Sequence, residues 1–81
     1  MARYYFHLRD GRDVLLDPEG LEPPDPGAVV AKALVAARSI LSADALEGRL
    51  QLDLRIDVED ESGGLVHRLA FADAIAIVPA A

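Results

Sequence analysis

The chain has 81 residues, with 14 acidic and 8 basic side chains, a net charge of −6 and no cysteine. This length predicts a single domain, residues 1–81, that buries only about 60–65% of its unfolded surface. The composition excludes disulfides and thiolate metal sites, and the acidic balance disfavours a nucleic-acid binder because phosphate repels it. No run approaches the roughly 20 apolar residues of a membrane span, and the opening MARYYFHL lacks the apolar core of a signal peptide. We therefore expect a cytoplasmic protein without membrane association.

The N-terminal residues predict a β-hairpin. Aromatic and apolar side chains alternate with polar ones over residues 4–9, which is the period of a half-buried strand. The Asp-Gly pair at 10–11 is a hairpin signal, because glycine adopts positive φ at little cost. The return strand is predicted at residues 14–16, and the loop length leaves open which of its three apolar side chains face the core.

The longest predicted element is a helix over Ala28–Glu47. The segment before it, Asp17–Gly27, predicts a loop because it holds four prolines and two glycines, and Leu21 is expected to anchor this loop under the helix start. Asp25 and Pro26 are the predicted N-cap and first helical residue, and a glycine at position 48 is the predicted stop. The buried stripe is predicted to contain Val30, Leu34, Ala37, Leu41 and Ala45, broadened by Ala33 and Ile40.

A second hairpin is predicted after the helix. Leucine, isoleucine and valine alternate with polar residues over 50–58, which predicts a strand with one hydrated face. Residues 59–64 (EDESGG) predict a turn, and residues 65–71 predict the return strand. The expected cross-strand pairs are Val58 with Leu65, Ile56 with His67, Leu54 with Leu69, and Leu52 with Phe71. This register predicts that Leu65, Leu69 and Phe71 are buried.

Together these elements predict an α+β fold, a two-layer ββαββ sandwich with one helix on a mostly antiparallel four-stranded sheet. A β-grasp-like order, in which the first and last strands pair at the centre, is the preferred topology, and a plain split arrangement is the alternative. The order of the tail, residues 72–81, is left open between a turn over 72–74 and a short edge strand formed by Ile75 and Ile77.

Four short motifs extend along nearly the whole chain. They are YYFHLRDG at 4–11, DPEGLE at 17–22, Pro24-Asp25 before the alanine-rich helix, and FADA at 71–74. In combination they resemble a family of small uncharacterised bacterial proteins, a domain of unknown function. This sequence departs from the family pattern at the helix entry, where residues 26–30 replace a more charged, Arg-containing turn. The resemblance implies the fold and no activity, because the family carries no established one.

No constellation of residues is typical of a catalytic or metal site. By strand parity His7 points to the hydrated face and His67 to the buried face, so we expect no shared metal. The acids from Asp57 to Glu61 fail the spacing of a calcium loop, which needs glycine at its sixth position. No histidine neighbours a serine in sequence, and the glycine pairs do not fit a phosphate loop. We predict a non-enzymatic protein with no catalytic residue, cofactor or metal.

The sheet face turned away from the helix is the predicted interaction surface. Parity assigns to it Arg3, Tyr5, His7, Arg9, Gln51, Asp53, Arg55, Asp57, Val66, Arg68 and Ala70. Tyrosine and arginine often anchor interfaces. The candidate contact residues are Arg3, Tyr5, His7, Arg55 and Arg68. An ordinary hydrated sheet face is the alternative interpretation.

Two functions are consistent with this predicted fold and its open sheet face. The first is a protein-interaction module that binds a protein partner, or a second copy of itself as a homodimer, through the open face or an edge strand. The alternative is a small-molecule or regulatory ligand-binding domain that uses the Asp17–Gly27 loop and the helix start. The positive end of the helix dipole suits an anion there, although Glu19, Glu22 and Asp25 oppose one.

Overall fold

The computed structural model describes residues 2–25 and 27–80. Its elements, in chain order, are β1 (Tyr5–Arg9), β2 (Val14–Leu15), α1 (Gly27–Leu46), β3 (Arg55–Glu59), β4 (Leu65–Ala70) and a short 3₁₀ helix (Phe71–Asp73). The four strands form one sheet in which each neighbouring pair is antiparallel. The predicted α+β fold, with one helix on a four-stranded ββαββ sheet, is confirmed.

The strand order is β2-β1-β3-β4, so the preferred β-grasp-like order is wrong. The first strand pairs with β3 and not with the last strand. Charge explains the choice, because Asp57 of β3 lies between Arg9 of β1 and Arg68 of β4. Exchanging β3 and β4 would place the basic side chains of β1 and β4 side by side, and like charges on neighbouring strands destabilise a sheet.

The third strand is shorter than predicted. Residues 50–54 are not part of it, and a turn occupies 52–53. The reason is the length of its neighbours: Arg55 pairs with Arg9, the last residue of β1, and with Ala70, the last residue of β4. The Leu54 carbonyl still accepts a hydrogen bond from the Phe71 amide at 2.9 Å, and the residues before Leu54 lie beyond both flanking strands.

The predicted register of the second hairpin is shifted by two residues. Ile56 opposes Leu69, and Val58 opposes His67. The turn is tighter than predicted, because the Asp60 amide already donates to the Gly64 carbonyl at 2.9 Å. A shift of two preserves the face of each side chain, so His67 still lies on the helix side. The register is irregular between Val58 and Glu59, and Glu59 pairs with Leu65. Leu65 is 50% exposed, so its predicted burial is wrong.

The helix rests on the sheet through alanine. Its buried residues are Val29, Ala33, Ala37 and Leu41, and the two alanines are fully buried, which lets the helix approach the sheet closely. The predicted stripe is rotated from this one: Val30 is 50% exposed, and Ala45 is exposed. Because α1 is apolar around most of its circumference, hydrophobicity alone does not select one face.

Both ends of the helix have the capping residues that the sequence predicted. The Asp25 carboxylate accepts a hydrogen bond from the Ala28 amide at 3.0 Å, which confirms the predicted N-cap. Gly48 has φ of +86° and confirms the predicted stop. The prediction for Pro26 lies outside the described residues.

The helix packs mainly over β3, β4 and the 3₁₀ helix, and so it covers only part of its side of the sheet. Beneath it lie Leu54, Ile56, Val58 and Phe71, all buried. The first strand packs Tyr4, Phe6 and Leu8 against this core as predicted. Leu15 opposes Leu8 and shares its face, yet it is 69% exposed. The helix-side face near β2 is therefore left partly uncovered.

The loop after β2 is held along β1 by its backbone. Tyr4 and Leu21 exchange two amide–carbonyl hydrogen bonds of 2.8 Å. The Asp17 carboxylate accepts hydrogen bonds from three backbone amides, those of Phe6, Glu19 and Gly20. The Leu21 side chain is 45% exposed, so the prediction that it tucks under the helix is wrong. The loop is fixed by hydrogen bonds, which its apolar content does not reveal.

The chain beyond β4 forms a turn, which was one of the two predicted alternatives for this segment. The 3₁₀ helix Phe71–Asp73 is followed by Ala74, which is buried and donates its amide to the Phe71 carbonyl. Residues 76–80 have no regular structure, so the alternative edge strand formed by Ile75 and Ile77 is wrong. Ile75 instead packs against the core from outside the sheet.

We predict that Gly20→Ala destabilises the protein more than Gly63→Ala. Both glycines have positive φ, +71° and +86°, so each alanine variant should lose about 1–2 kcal/mol of unfolding free energy through backbone strain. A Cβ at Gly20 would also lie 2.8 Å from the Tyr4 carbonyl oxygen, whereas nothing lies within 4 Å at Gly63. The overlap should add about 1–3 kcal/mol. Urea denaturation followed by circular dichroism measures both, and equal losses would contradict the close packing of the loop.

Candidate functional site

The candidate site is centred on Asp57, in the middle of β3. Its neighbours Ile56 and Val58 face the helix, so the carboxylate faces the opposite, uncovered side of the sheet. Despite this position the Asp57 side chain is only 4% exposed. A lone carboxylate in such a place would be costly to desolvate, and its surroundings show how the charge is balanced.

Three arginines from three strands surround the Asp57 carboxylate. Arg68 of β4 donates two hydrogen bonds, Nε to Oδ1 at 2.7 Å and Nη2 to Oδ2 at 3.3 Å. Arg9 of β1 brings its Nε to 2.9 Å from Oδ2, and Arg55 of β3 brings its Nε to 3.4 Å from Oδ1. The last two N–H groups are not aligned for a hydrogen bond, so these contacts are ion pairs. We call Asp57 and these three residues the arginine cluster.

The second acid of the site is Glu59, two residues further along the same face. His7 Nε2 lies 3.5 Å from its Oε1, and Arg9 Nη2 lies 3.6 Å from its Oε2. The other ring nitrogen of His7, Nδ1, accepts a hydrogen bond from the Asp17 amide at 3.1 Å. Neutral His7 therefore carries its proton on Nε2, towards Glu59.

His7 is 8% exposed, so the prediction that it points into water is wrong. The Tyr5 ring stacks beside it, with centroids 6.3 Å apart and planes inclined by 11°. The Asp17 loop and Glu59 close two other sides. Parity gave the correct face and the wrong burial, because neighbouring strands and the loop cover what a single strand leaves open. His67 lies on the opposite face, as predicted.

The open face carries an excess of positive charge. Three guanidiniums face two carboxylates there, in a chain whose net charge is −6. The side chains of Arg9, Arg55 and Arg68 are 30%, 34% and 54% exposed. Within the described residues, Arg55 forms no hydrogen bond through its terminal nitrogens, so these remain available to an external anion.

The charge of the Asp57 carboxylate is stabilised by its neighbours. The hydrogen bond from Arg68 is the main cause that lowers the pKa of Asp57 below its ordinary value, and burial opposes this shift. The charges of Arg68, Arg55 and Arg9 lower the same pKa further. The hydrogen bond to Asp57 in turn raises the pKa of Arg68. Both groups are therefore ionised at neutral pH.

The structure brings together four of the five predicted contact residues. Tyr5, His7, Arg55 and Arg68 share the open face with Asp57. Arg3 does not join the arginine cluster: it donates to the Glu19 carbonyl and pairs with Glu22 at 3.2 Å, so it holds the loop.

Sequence reasoning placed Arg9 and Asp57 on this face without selecting them, and it missed Glu59. A usable signal was present in the spacing of Arg55, Asp57 and Glu59. Residues two apart on a strand share a face, so the acids of this strand meet the basic residues of its neighbours.

A groove lies on the other side of the sheet, between the Asp17 loop and α1. It encloses about 660 Å³ and is lined by Phe6, Asp17, Pro18, Glu19, Gly20, Leu21, Lys32, Val35, Ala36 and Ser39. It runs along the middle of the helix and not at the predicted helix start, where Asp25 already accepts the Ala28 amide. Its walls are mainly apolar, with one cationic side chain, Lys32.

The described residues contain no group of three or more His, Cys, Asp or Glu side chains placed to hold a metal ion. No helix among them is long and apolar enough to cross a bilayer.

We predict that Asp57→Asn destabilises the protein by about 2–3 kcal/mol. Removing one partner of a buried ion pair typically costs about 3–5 kcal/mol, and the partial exposure of the arginines reduces this. The matched control is Asp53→Asn, which removes the same charge from an exposed position and should change stability by less than about 0.5 kcal/mol. Urea denaturation at neutral pH measures both, and equal effects would show that Asp57 is an ordinary surface acid.

We also predict that the pH dependence of stability changes in the Asp57→Asn variant. The pKa of Asp57 is lowered in the folded state, so its contribution is fully present above the ordinary aspartate pKa of about 3.9 and is lost as pH falls through the lower folded-state value. Below about pH 4, the unfolding free energy of the wild type should therefore fall more steeply than that of the variant. Parallel curves below this pH would contradict a lowered pKa at Asp57.

Comparison with known proteins gives one match. No curated protein and no solved structure matches the chain. The family described as "Domain of unknown function (DUF6894)" matches residues 3–72. The match covers both hairpins and the helix, and it confirms the resemblance to an uncharacterised family that the sequence motifs indicated. The chain therefore belongs to this family, the Domain of unknown function (DUF6894).

Proposed function

We propose that the protein is a non-enzymatic protein-interaction module whose open sheet face binds an acidic segment of a partner protein. The observation that carries the proposal is the arginine cluster, in which three guanidiniums converge on one buried carboxylate. Arginine binds carboxylates with directed, charge-assisted hydrogen bonds. A cluster with more guanidiniums than carboxylates on an uncovered face suits a ligand that brings further negative charge.

The cluster is ordered before a partner arrives. Asp57 fixes the Nε ends of its three arginines, so less side-chain entropy is lost on binding than with free surface arginines. Tyr5 and His7 lie next to the cluster as a stacked pair and supply a rigid aromatic surface. Arginine and aromatic side chains are enriched at interface hot spots.

The same charges favour an acidic partner over a second copy at this face. Two open faces placed together would oppose two arginine clusters, each with an excess of positive charge. Antiparallel pairing of two β4 edges about Arg68 would likewise place the two Arg68 side chains directly opposite each other, and like charges in that position are destabilising. Homodimerisation through the open face or the β4 edge is therefore the weaker version of the proposal.

The ligand-binding alternative is favoured by one observation, the groove between the loop and α1. We rank it second because Asp17 already accepts three backbone amides, and Glu19 repels the anionic metabolites that the helix start was predicted to attract. The proposal keeps the predicted cytoplasmic location. The absence of cysteine supports it, because small secreted domains usually rely on disulfides.

The test uses a fluorescently labelled glutamate-rich peptide and anisotropy at low salt. The Arg55→Gln/Arg68→Gln double variant should bind it at least about tenfold more weakly than the wild type, equivalent to about 1.4 kcal/mol. The matched control is Arg12→Gln/Arg49→Gln, which removes the same charge from exposed positions and should bind like the wild type. Binding should also weaken as salt screens the charges.

Two results would overturn the proposal. The first is no binding of the glutamate-rich peptide to the wild type at low salt. The second is an equal loss in both double variants, which would assign binding to overall charge instead of the open face. A glutamine-rich peptide of the same length serves as the uncharged probe and should not bind.

A further inference from the structure

We propose that the acidic partner segment adds to the sheet as a fifth strand, antiparallel to β4 along its free edge. β4 is the last strand in the order β2-β1-β3-β4, and no strand of residues 2–25 and 27–80 pairs with its outer side. An extended segment joins such an edge through main-chain hydrogen bonds. The inference rests on the proposed function, and it adds where the acidic segment lies and which residue pattern it carries.

The ladder fixes the direction of the β4 backbone groups. The Phe71 amide donates to the Leu54 carbonyl at 2.9 Å, so Phe71 turns its N–H towards the residues that lead into β3. Hydrogen-bonding direction alternates along an antiparallel strand. Val66, Arg68 and Ala70 therefore turn their N–H and C=O groups towards the free edge, where they are available to another strand.

The same residues project their side chains onto the open face. Arg68 pairs with Asp57 in the ladder, and its side chain is 54% exposed. It donates to Asp57 through Nε and Nη2, and within the described residues its Nη1 forms no hydrogen bond. A residue placed opposite Arg68 in an antiparallel pair projects to the same face, so a glutamate there adds a cross-strand pair of opposite charge.

A second glutamate reaches Arg55 across the small side chain of Ala70. Arg55 and Ala70 are paired in neighbouring strands, and neighbouring strands lie about 4.8 Å apart. A glutamate opposite Ala70 therefore starts about 10 Å from the Arg55 backbone, a gap that the two long side chains span together. Both exposed arginines of β3 and β4 are thus within reach of one added strand.

On the helix side, the added strand meets apolar side chains. Its residues opposite His67 and Leu69 project towards α1, because opposed residues share a face. Val30 of α1 is 50% exposed, and it lines a pocket of about 150 Å³ together with Val29 and His67. The segment that fits both sides of the edge therefore alternates acidic and apolar residues.

A second copy of the chain does not offer such a segment at its own edges. Its β4 has the sequence LVHRLA, without an acid, and its β2 has only two residues. The strand that does alternate apolar and acidic residues, β3 with the sequence RIDVE, lies inside the sheet between β1 and β4. The charge of the edge therefore favours a different protein as the partner.

The experiment measures binding of a labelled, acetylated peptide that alternates glutamate and valine, by anisotropy with the full chain at low salt. In an antiparallel pair the residue opposite Arg68 turns its own N–H towards β4, so the glutamate amides face the edge and the valine amides face away. Methylating the glutamate amide nitrogens should weaken binding at least about tenfold, because each methyl group replaces a hydrogen-bond donor. The peptide methylated at its valine nitrogens is the matched control, with the same charge, and should bind like the unmethylated one.

Amide hydrogen exchange gives an independent measurement on the protein itself. At saturating unmethylated peptide, the Val66 and Arg68 amides should exchange more slowly, because they become part of a ladder. The Leu69 amide already lies within the ladder to β3 and should change less.

Strand addition is overturned by methylation at the glutamates that is not the more damaging of the two, or by unchanged exchange at Val66 and Arg68. Either result, with binding that still depends on Arg55 and Arg68, overturns the added strand and leaves the proposed function standing. So does an alternating peptide that fails to bind when the glutamate-rich peptide binds. Binding of neither peptide overturns both.

Discussion

The ionised carboxylate of Asp57 is the constraint on which this structure depends, because it is held out of water on a sheet face that no helix of the described residues covers. A buried charge requires partners of opposite sign close by, and here they come from all three of the strands β1, β3 and β4. Only the order β1-β3-β4 places the acidic strand between the two basic ones. The ion pairs therefore do more than add stability, because they distinguish the observed sheet from alternatives that bury the same apolar side chains.

The features predictable from the sequence are those set by local chemistry. Period-two alternation identified both hairpins and assigned side chains to faces, and Asp25 and Gly48 marked the ends of the helix. Strand order and register were not predictable in the same way. A central β3 and a central β4 bury equally apolar faces, and a register shift of two leaves the hydrophobic pattern unchanged. The deciding terms were the ion pairs of Asp57 and the tight turn at Asp60, neither of which alternation detects.

The candidate site was predictable in composition and not in burial. Tyr5, His7, Arg55 and Arg68 were selected as polar anchors of an open face, and they do share that face. The burial of His7 and Asp57 escaped prediction because it is produced by residues distant in sequence. Arginine stems from neighbouring strands and the loop after β2 cover these side chains, and the covering depends on the strand order. The same dependence explains why Val30 is exposed although it was predicted to be buried. The sheet beneath an apolar helix determines which of its faces is in contact.

The position of the one long helix explains why the sheet carries two such different surfaces. Within residues 2–25 and 27–80, the helix of twenty residues covers β3 and β4 on one side, and no element of secondary structure covers the other. On the open side, long arginine side chains lay their aliphatic stems over the sheet and keep their charged ends near water. Asp57 is therefore covered by side chains and needs no further helix or strand over it. On the helix side, the part near β1 and β2 receives no equivalent cover, and Leu15, Leu21 and Val35 stay exposed. The open face is thus covered by arginine side chains, while the helix side keeps an open, mainly apolar groove.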